Sequence, residues 1–257
     1  MAGGTVRGGR VVELPVLALA GLLRRENLGD PHAIFAGGER YVSPRFADDA
    51  AALLRDELAA AGLGGRDAMD DFLDTLALVQ RASVEFYGWV SGRGEETALL
   101  TAAVGRRAVA VVRVGDRVRF EPADPERLAE GLALRLPDAW AARGDAVSVL
   151  DNEFRARSNR EPGSIMRRSG SGRSDGARRL DALLKEPRVG GAKLYAAARD
   201  RAGVRTRSTE WLTVLDLAGG RWVVYPALGR GARAINAVPA TPQLLAAKLD
   251  ELRRTIS

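Results

Sequence analysis

A short motif that occurs twice constrains the fold of this chain more than any other feature. Pro122 to Leu132 and Pro239 to Leu249 align without a gap, at an offset of 117 residues (239 − 122). Each copy follows a strand-like run and places a capping residue, Asp124 or Thr241, before a proline and a series of apolar residues at helical spacing. The repeat predicts a chain built from two versions of one half. Proline-capped helices are common, so chance is the alternative explanation of the motif taken alone.

The order of the other elements favours a duplication. In each half a short strand and helical segments come first, then four strands separated by glycine-containing turns, then the capped helix. Tyr87 and Tyr195 fall at similar places in the first strand of each set. The expected strands are 11–14, 84–91, 97–104, 107–114, 117–121, 147–150, 192–199, 208–217, 221–226 and 232–238. The expected helices are 15–25, 48–61, 69–82, 125–136, a short helix that starts at 175 or 181 and ends at 184, and 242–254.

These elements predict an α+β fold with a central antiparallel β-sheet. Each set of strands has edges that would pair with other chains, and joining the two sets about a pseudo-twofold axis hides one edge of each. We therefore expect a single domain over residues 1–257, with halves at about 11–140 and 145–255. The Ser-, Gly- and Arg-rich stretch at about 157–177 is expected to be a mobile loop.

The composition removes most kinds of catalytic site. The chain has no cysteine and one histidine, His32, which excludes disulfides, thiolate metal sites and sites with several histidines. His32 follows Gly29-Asp30-Pro31 and is expected to be a surface loop residue. A cluster of aspartates (Asp67, Asp70, Asp71, Asp74) is expected to form a solvated helix face, because it lacks the glycine-bearing loop of a calcium site. Gly229 to Ala234 formally matches a dinucleotide-binding motif, but no helix is predicted to follow it.

By elimination, these observations favour a binding protein without catalytic residues, cofactor or metal. The whole net charge of +6 lies between Arg155 and Arg179, where eight arginines face two acidic residues. That stretch is the basis of an alternative function, a nucleic-acid-binding regulator, although it has no aromatic residue on which bases could stack. The apolar run from Val11 to Leu23 is too short to span a bilayer, so we expect no membrane insertion and a cytoplasmic location.

The four tryptophans are the remaining candidates for a binding site. Trp211 alternates with Thr213 and Leu215 along one predicted strand face, and Trp89, Trp140 and Trp222 lie elsewhere. Core packing is the usual role of such residues, and the alternative is an aromatic anchor in a protein interface.

In its order of segments and its composition, the chain resembles the EspG family of proteins associated with type VII (ESX) secretion in actinobacteria. The resemblance implies a central sheet flanked by two α-helical bundles, and a cytosolic chaperone rather than an enzyme. The segments that carry it are Val11 to Leu14, Val84 to Trp89, Arg107 to Val112, Phe120 to Ala129, Gly191 to Asp200, Ser208 to Leu212 and Gly220 to Val224.

The resemblance also implies the partner and the region that contacts it. Proteins of this family bind the helical tip of a PPE-type protein in its PE–PPE heterodimer and keep it soluble for export. The partner expected here is a PPE-like or WXG-type helical substrate, bound by a monomer or weak homodimer. The family's contact regions correspond roughly to Ser208–Leu217, Leu180–Leu184 and Pro242–Arg254, from which the expected contact residues are Trp211, Thr213, Leu215, Leu183 and Leu245. The short Gly92-Arg93-Gly94 loop and the long Arg-rich loop depart from the family pattern.

Overall fold

The computed structural model describes residues 10–37, 47–92, 94, 96–150, 174–227 and 233–256. The helices are α1 (Val16–Arg25), α2 (Ala47–Ala60), α3 (Arg66–Gln80), α4 (Leu128–Ala133), α5 (Asp175–Lys185) and α6 (Pro242–Arg254), with a short 3₁₀ helix at Ala33–Phe35. The strands are β1 (Val12–Pro15), β2 (Val84–Ser91), β3 (Thr97–Val104), β4 (Arg107–Val114), β5 (Arg117–Pro122), β6 (Val147–Leu150), β7 (Arg188–Arg199), β8 (Arg205–Arg207), β9 (Leu212–Leu217), β10 (Gly220–Pro226) and β11 (Ala234–Pro239).

All of these strands form one sheet in which every neighbouring pair is antiparallel. The order is β1-β5-β4-β3-β2-β7-β9-β10-β11-β6, and β8 pairs with the end of β7. β2 and β7 meet in the middle, where Tyr87 lies opposite Tyr195. The expectation of a large antiparallel sheet in an α+β fold is therefore confirmed.

The first-half strands agree with the sequence prediction because their turns carry glycine where the backbone needs it. Gly105 and Gly115 have φ angles of 57° and 56° in the two tight turns that join β3 to β4 and β4 to β5. These angles fall in the left-handed region that glycine adopts without steric cost. The meander β2-β3-β4-β5 follows from these local hairpins.

The two copies of the repeated motif differ at their helix starts. Thr241 caps α6 as predicted, since its hydroxyl accepts a hydrogen bond from Leu244 N at 3.2 Å and Pro242 occupies the first turn. Asp124 accepts from Glu126 N at 2.9 Å, but this closes a separate turn and α4 begins only at Leu128. The predicted helix 125–136 is thus too long at both ends.

Another difference from the prediction lies in the strand expected at 208–217. It is interrupted, with β8 ending at Arg207 and β9 beginning at Leu212. Buried Ser208 accounts for the break: its backbone N–H donates to Ala196 O at 2.8 Å, and its hydroxyl accepts from Ala196 N at 3.3 Å. The side chain thus replaces a backbone acceptor of the ladder.

Helices cover both faces of the sheet. Helices α1, α2 and α3 pack on one face of the first-half strands, over side chains such as Leu100 and Phe120. Strand alternation places Leu215 and Trp222 on this same face, where α5 covers the outer strands of the second half. Helices α4 and α6 pack together on the opposite face, across the middle of the sheet.

A buried ion pair fixes the segment that follows α4. The guanidinium of Arg221 donates to both carboxylate oxygens of Asp216, at 2.6 and 2.8 Å, and to Pro137 O at 2.7 Å. The two side chains are 3% and 11% exposed. The backbone N–H of Arg221 also donates to Trp140 O at 2.8 Å. This hydrogen bond fixes the backbone at Trp140, a residue that is 71% exposed.

Candidate partner-binding surface

Four aromatic side chains form a continuous group on the face of the sheet that carries α1–α3 and α5. Tyr87 and Tyr195 stack across the β2–β7 seam with ring centroids 5.5 Å apart. Trp89 contacts Tyr195 edge-on at 5.8 Å, and Trp211 lies 6.2 Å from Tyr195 on the other side. We call Tyr87, Trp89, Tyr195 and Trp211 the aromatic stripe.

The aromatic stripe is packed against the protein on one side and accessible to a partner on the other. Tyr87 is buried, whereas Trp89 and Trp211 are each 40% exposed, so their rings are fixed but still accessible. Beside Trp211 the face continues into a groove whose lining includes Thr213, Val224, Pro226 and Ile235. Large aromatic rings that are held rigidly and half-exposed are typical anchors of protein interfaces.

Three cationic side chains lie over the rings of the aromatic stripe. The Lys193 ammonium is 5.9 Å from the ring centre of Trp211. The guanidinium carbons of Arg205 and Arg207 are 5.5 Å from the Tyr87 ring and 5.2 Å from the Tyr195 ring, respectively. The electron-rich faces of the rings attract these cations, which makes the surface both aromatic and basic.

A buried polar cluster supports the aromatic stripe from one side. His32 Nε2 donates to Glu85 Oε1 at 3.2 Å, and Arg205 Nε donates to the same oxygen at 2.8 Å. His32 Nδ1 accepts from Ile34 N at 3.3 Å, which places the imidazole proton on Nε2. The imidazole also meets the Tyr87 ring edge-on at 5.0 Å. The cluster thus links the 3₁₀ helix, β2 and β8 beneath one end of the stripe.

The charges of this cluster stabilise one another. Burial by itself would raise the pKa of Glu85, but its hydrogen bonds and electrostatic interactions with His32 and then with Arg205 outweigh burial and hold that pKa below its ordinary value. Burial by itself would lower the pKa of Arg205, and the charge and hydrogen bond of Glu85 reverse this and raise it. Glu85 is therefore a carboxylate at neutral pH, and it pairs with Arg205.

The expectation that His32 is a surface residue is wrong, since His32 is buried. The sequence around it, with Gly29, Asp30 and Pro31, is typical of an exposed loop. The hydrogen bond to Glu85 on β2, which also accepts from Arg205 on β8, holds the imidazole in the core, and both partners are distant in sequence. No local pattern carries that information.

The predicted contact residues fall into two groups. Trp211 belongs to the aromatic stripe and half-buried Thr213 lines the groove, so these two lie together on the accessible surface. Leu215 of β9 and Leu183 of α5 are buried where α5 covers the sheet, and Leu245 of α6 is fully buried against the opposite face. These three leucines have a packing role in the folded chain.

Sequence reasoning included Trp89 among the candidate tryptophans but did not connect it, Tyr87 or Tyr195 with Trp211. Trp89 lies on β2 and Tyr195 on β7, two strands that are far apart in sequence but neighbours in the sheet. One signal in the sequence pointed to this pairing: Tyr87 and Tyr195 occupy similar positions in the two sets of strands.

Other candidate sites stay apart from this surface. The four aspartates of α3 are exposed, as predicted, and no group of metal-ligating side chains occurs among the described residues. Within those same ranges, no helix is both long and apolar enough to cross a bilayer. Most of the Arg155–Arg179 stretch, most of the expected loop at 157–177 and most of the Gly229–Ala234 motif lie outside the described residues. The last three residues of that expected loop, 175–177, instead begin α5. Of the arginines that are described there, Arg178 pairs with Asp175 and Arg179 lies 3.9 Å from the Asp145 carboxylate.

Comparison with known proteins agrees with this architecture. No curated protein matches the chain in sequence. In fold, the chain is similar to the Mycobacterium tuberculosis type VII secretion system chaperone EspG5, solved in complex with a PE25–PPE41 dimer. The TM-score is 0.64 at 16% sequence identity, and the match covers 96% of this chain and 97% of that one. The EspG family model matches residues 15–251. This match spans nearly the whole sequence, and the chain therefore belongs to the EspG family.

Proposed function

We propose that this chain is a cytoplasmic chaperone of type VII (ESX) secretion, without enzymatic activity, that binds the helical tip of a PPE-like or WXG-type substrate and keeps it soluble for export. The aromatic stripe carries this proposal. An exposed apolar helical tip aggregates unless another apolar surface covers it. Two half-exposed tryptophans beside a groove provide such a surface.

The position of the stripe supports the same reading. It lies on the sheet face between α1–α3 on one side and α5 on the other, so a helical tip seated there would have protein on both sides. We infer that these helices act as two flanking bundles. Of the predicted contacts, we retain Trp211 and Thr213 and add Trp89 and Tyr195.

We also infer that the two halves are related by a pseudo-twofold axis at the β2–β7 seam. Read outward from the seam, the strand order is β2-β3-β4-β5-β1 in one half and β7-β9-β10-β11-β6 in the other. Superposing the two five-strand sets tests this, and a rotation far from 180° would contradict it. A duplicated half explains why the two copies of the proline motif both follow the last long strand of a set.

The test is co-expression with the PE–PPE pairs and WXG-type proteins encoded in the same genome. We expect one of them to become soluble with this chain and to co-elute with it in size-exclusion chromatography as a stoichiometric complex. The matched control is the same pair expressed without this chain, which should aggregate. If every candidate pair is equally soluble without the chain and none co-elutes with it, the proposal is wrong.

A further inference from the structure

The aromatic stripe carries positive charge that no described residue neutralises. Lys193 and Arg207 are both exposed, and neither forms an ion pair within the part of the chain that the structure describes. Arg205 differs from them, because buried Glu85 accepts its hydrogen bonds and balances its charge. The only acid beside the groove among the lining residues is Glu210, and it already pairs with Arg233 at 3.4 Å.

These two cations restrict what can cover the surface. A wholly apolar partner would remove water from Lys193 and Arg207 without replacing their hydrogen bonds, which is unfavourable. A partner with carboxylates at these points would gain charge-assisted hydrogen bonds and faster association. Because the rings hold both cations in place, little side-chain freedom is lost when such pairs form.

The strand register sets the spacing of the two backbone positions that carry these charges. Lys193 lies opposite Thr213 on β9, and Arg207 lies opposite Ala197 on β7. Four residues along β7 and one strand across separate the two positions, about 14 Å at about 3.3 Å per residue and about 4.8 Å per strand. The Arg207 guanidinium lies over Tyr195, two residues nearer to Lys193, which shortens the distance between the charges. Two turns of an α-helix rise about 11 Å, so acidic residues two turns apart on one helix can reach both cations.

We propose that the helical tip bound here carries carboxylates about two helical turns apart beside its apolar ridge, and that Lys193 and Arg207 select partners with this pattern. This inference rests on the proposed function, since it names the chemistry of the partner that the same surface binds. It makes the surface a charge-selective site rather than a general apolar one.

The experiment uses whichever PE–PPE pair or WXG-type protein co-purifies with the full chain. Its affinity is measured by calorimetry for the unchanged chain and for the double variant Lys193→Glu, Arg207→Glu, at about 50 mM and about 500 mM NaCl. Arg106→Glu is the matched control, because Arg106 is exposed in the β3–β4 turn and forms no ion pair among the described residues. We expect the double variant to bind at least about tenfold more weakly at low salt, with a smaller difference at high salt, and the control to bind normally.

A second measurement distinguishes lost charge from a damaged fold. Replacing the two acidic residues of the partner with lysine should restore binding to the double variant. Equal affinity of the double variant and the unchanged chain, or no salt dependence, would overturn this inference and leave the proposed function standing. If no candidate partner binds the unchanged chain, both this inference and the proposed function are wrong. Tighter binding of an oligothymidylate than of any protein partner, lost in the double variant, would instead assign the surface to nucleic acid.

Discussion

Replacing Trp211 with alanine measures how much of the partner affinity the aromatic stripe provides. A tryptophan side chain has up to about 250 Å² of surface. At 40% exposure Trp211 leaves about 100 Å² for a partner to cover. At about 25 cal/mol per Å², covering it contributes about 2.5 kcal/mol. The alanine retains part of this, so we expect a loss of about 2 kcal/mol, or about 30-fold in Kd.

The assay is calorimetric titration of the purified chain with its co-purifying partner. Trp140→Ala is the matched control, because Trp140 is 71% exposed but lies at the opposite end of β10 from the groove. Far-UV circular dichroism and the urea midpoint verify that both variants are folded. A loss of less than about threefold for Trp211→Ala, or an equal loss for Trp140→Ala, would refute the assignment of the surface.

Three further predictions concern the buried groups. Asp216→Asn removes the carboxylate that pairs with the buried Arg221 charge. Urea unfolding should therefore show a free energy of unfolding lower by about 3–5 kcal/mol. A decrease below about 1 kcal/mol would contradict the buried pair. Because the pKa of Glu85 is lowered in the folded state, its pairing stabilises the protein at neutral pH and this stabilisation is lost as the pH falls through that lowered pKa. Glu85→Gln should therefore lower the melting temperature at pH 7 and weaken its dependence on acid pH; an unchanged acid profile would count against the cluster. Leu245→Ala should cost about 2–5 kcal/mol of stability and leave partner affinity of the folded chain unaltered, whereas weaker binding at unchanged stability would make Leu245 a partner contact.

The sequence predicted best what local chemistry determines. The meander β2–β5 matches its prediction nearly residue for residue, because short apolar runs bounded by glycine turns specify hairpins without help from distant parts of the chain. The start of α6 was predictable for the same reason, since Thr241 and Pro242 act within one turn. The family resemblance came from the order of such elements.

Features that depend on distant contacts could not be predicted. Burial of His32 needs Glu85 and Arg205, and the break before Leu212 needs the pairing of Ser208 with Ala196. The candidate site is of this kind, because the aromatic stripe takes residues from β2, from β7 and from the segment before β9. Sequence periodicity shows that Trp211 and Leu215 share a strand face, but not that α5 covers only one of them.

The seam between β2 and β7 also sets the order of events during synthesis. Strands β2 to β5 can pair as soon as they emerge from the ribosome, but one edge of β2 waits for β7, about 100 residues later. At about 5–20 residues per second this interval lasts about 5–20 s. Throughout it, the unpaired backbone of β2 and the ring of Trp89 are open to other nascent chains. A protein proposed to shield its partner from aggregation thus passes through an interval in which it needs shielding itself.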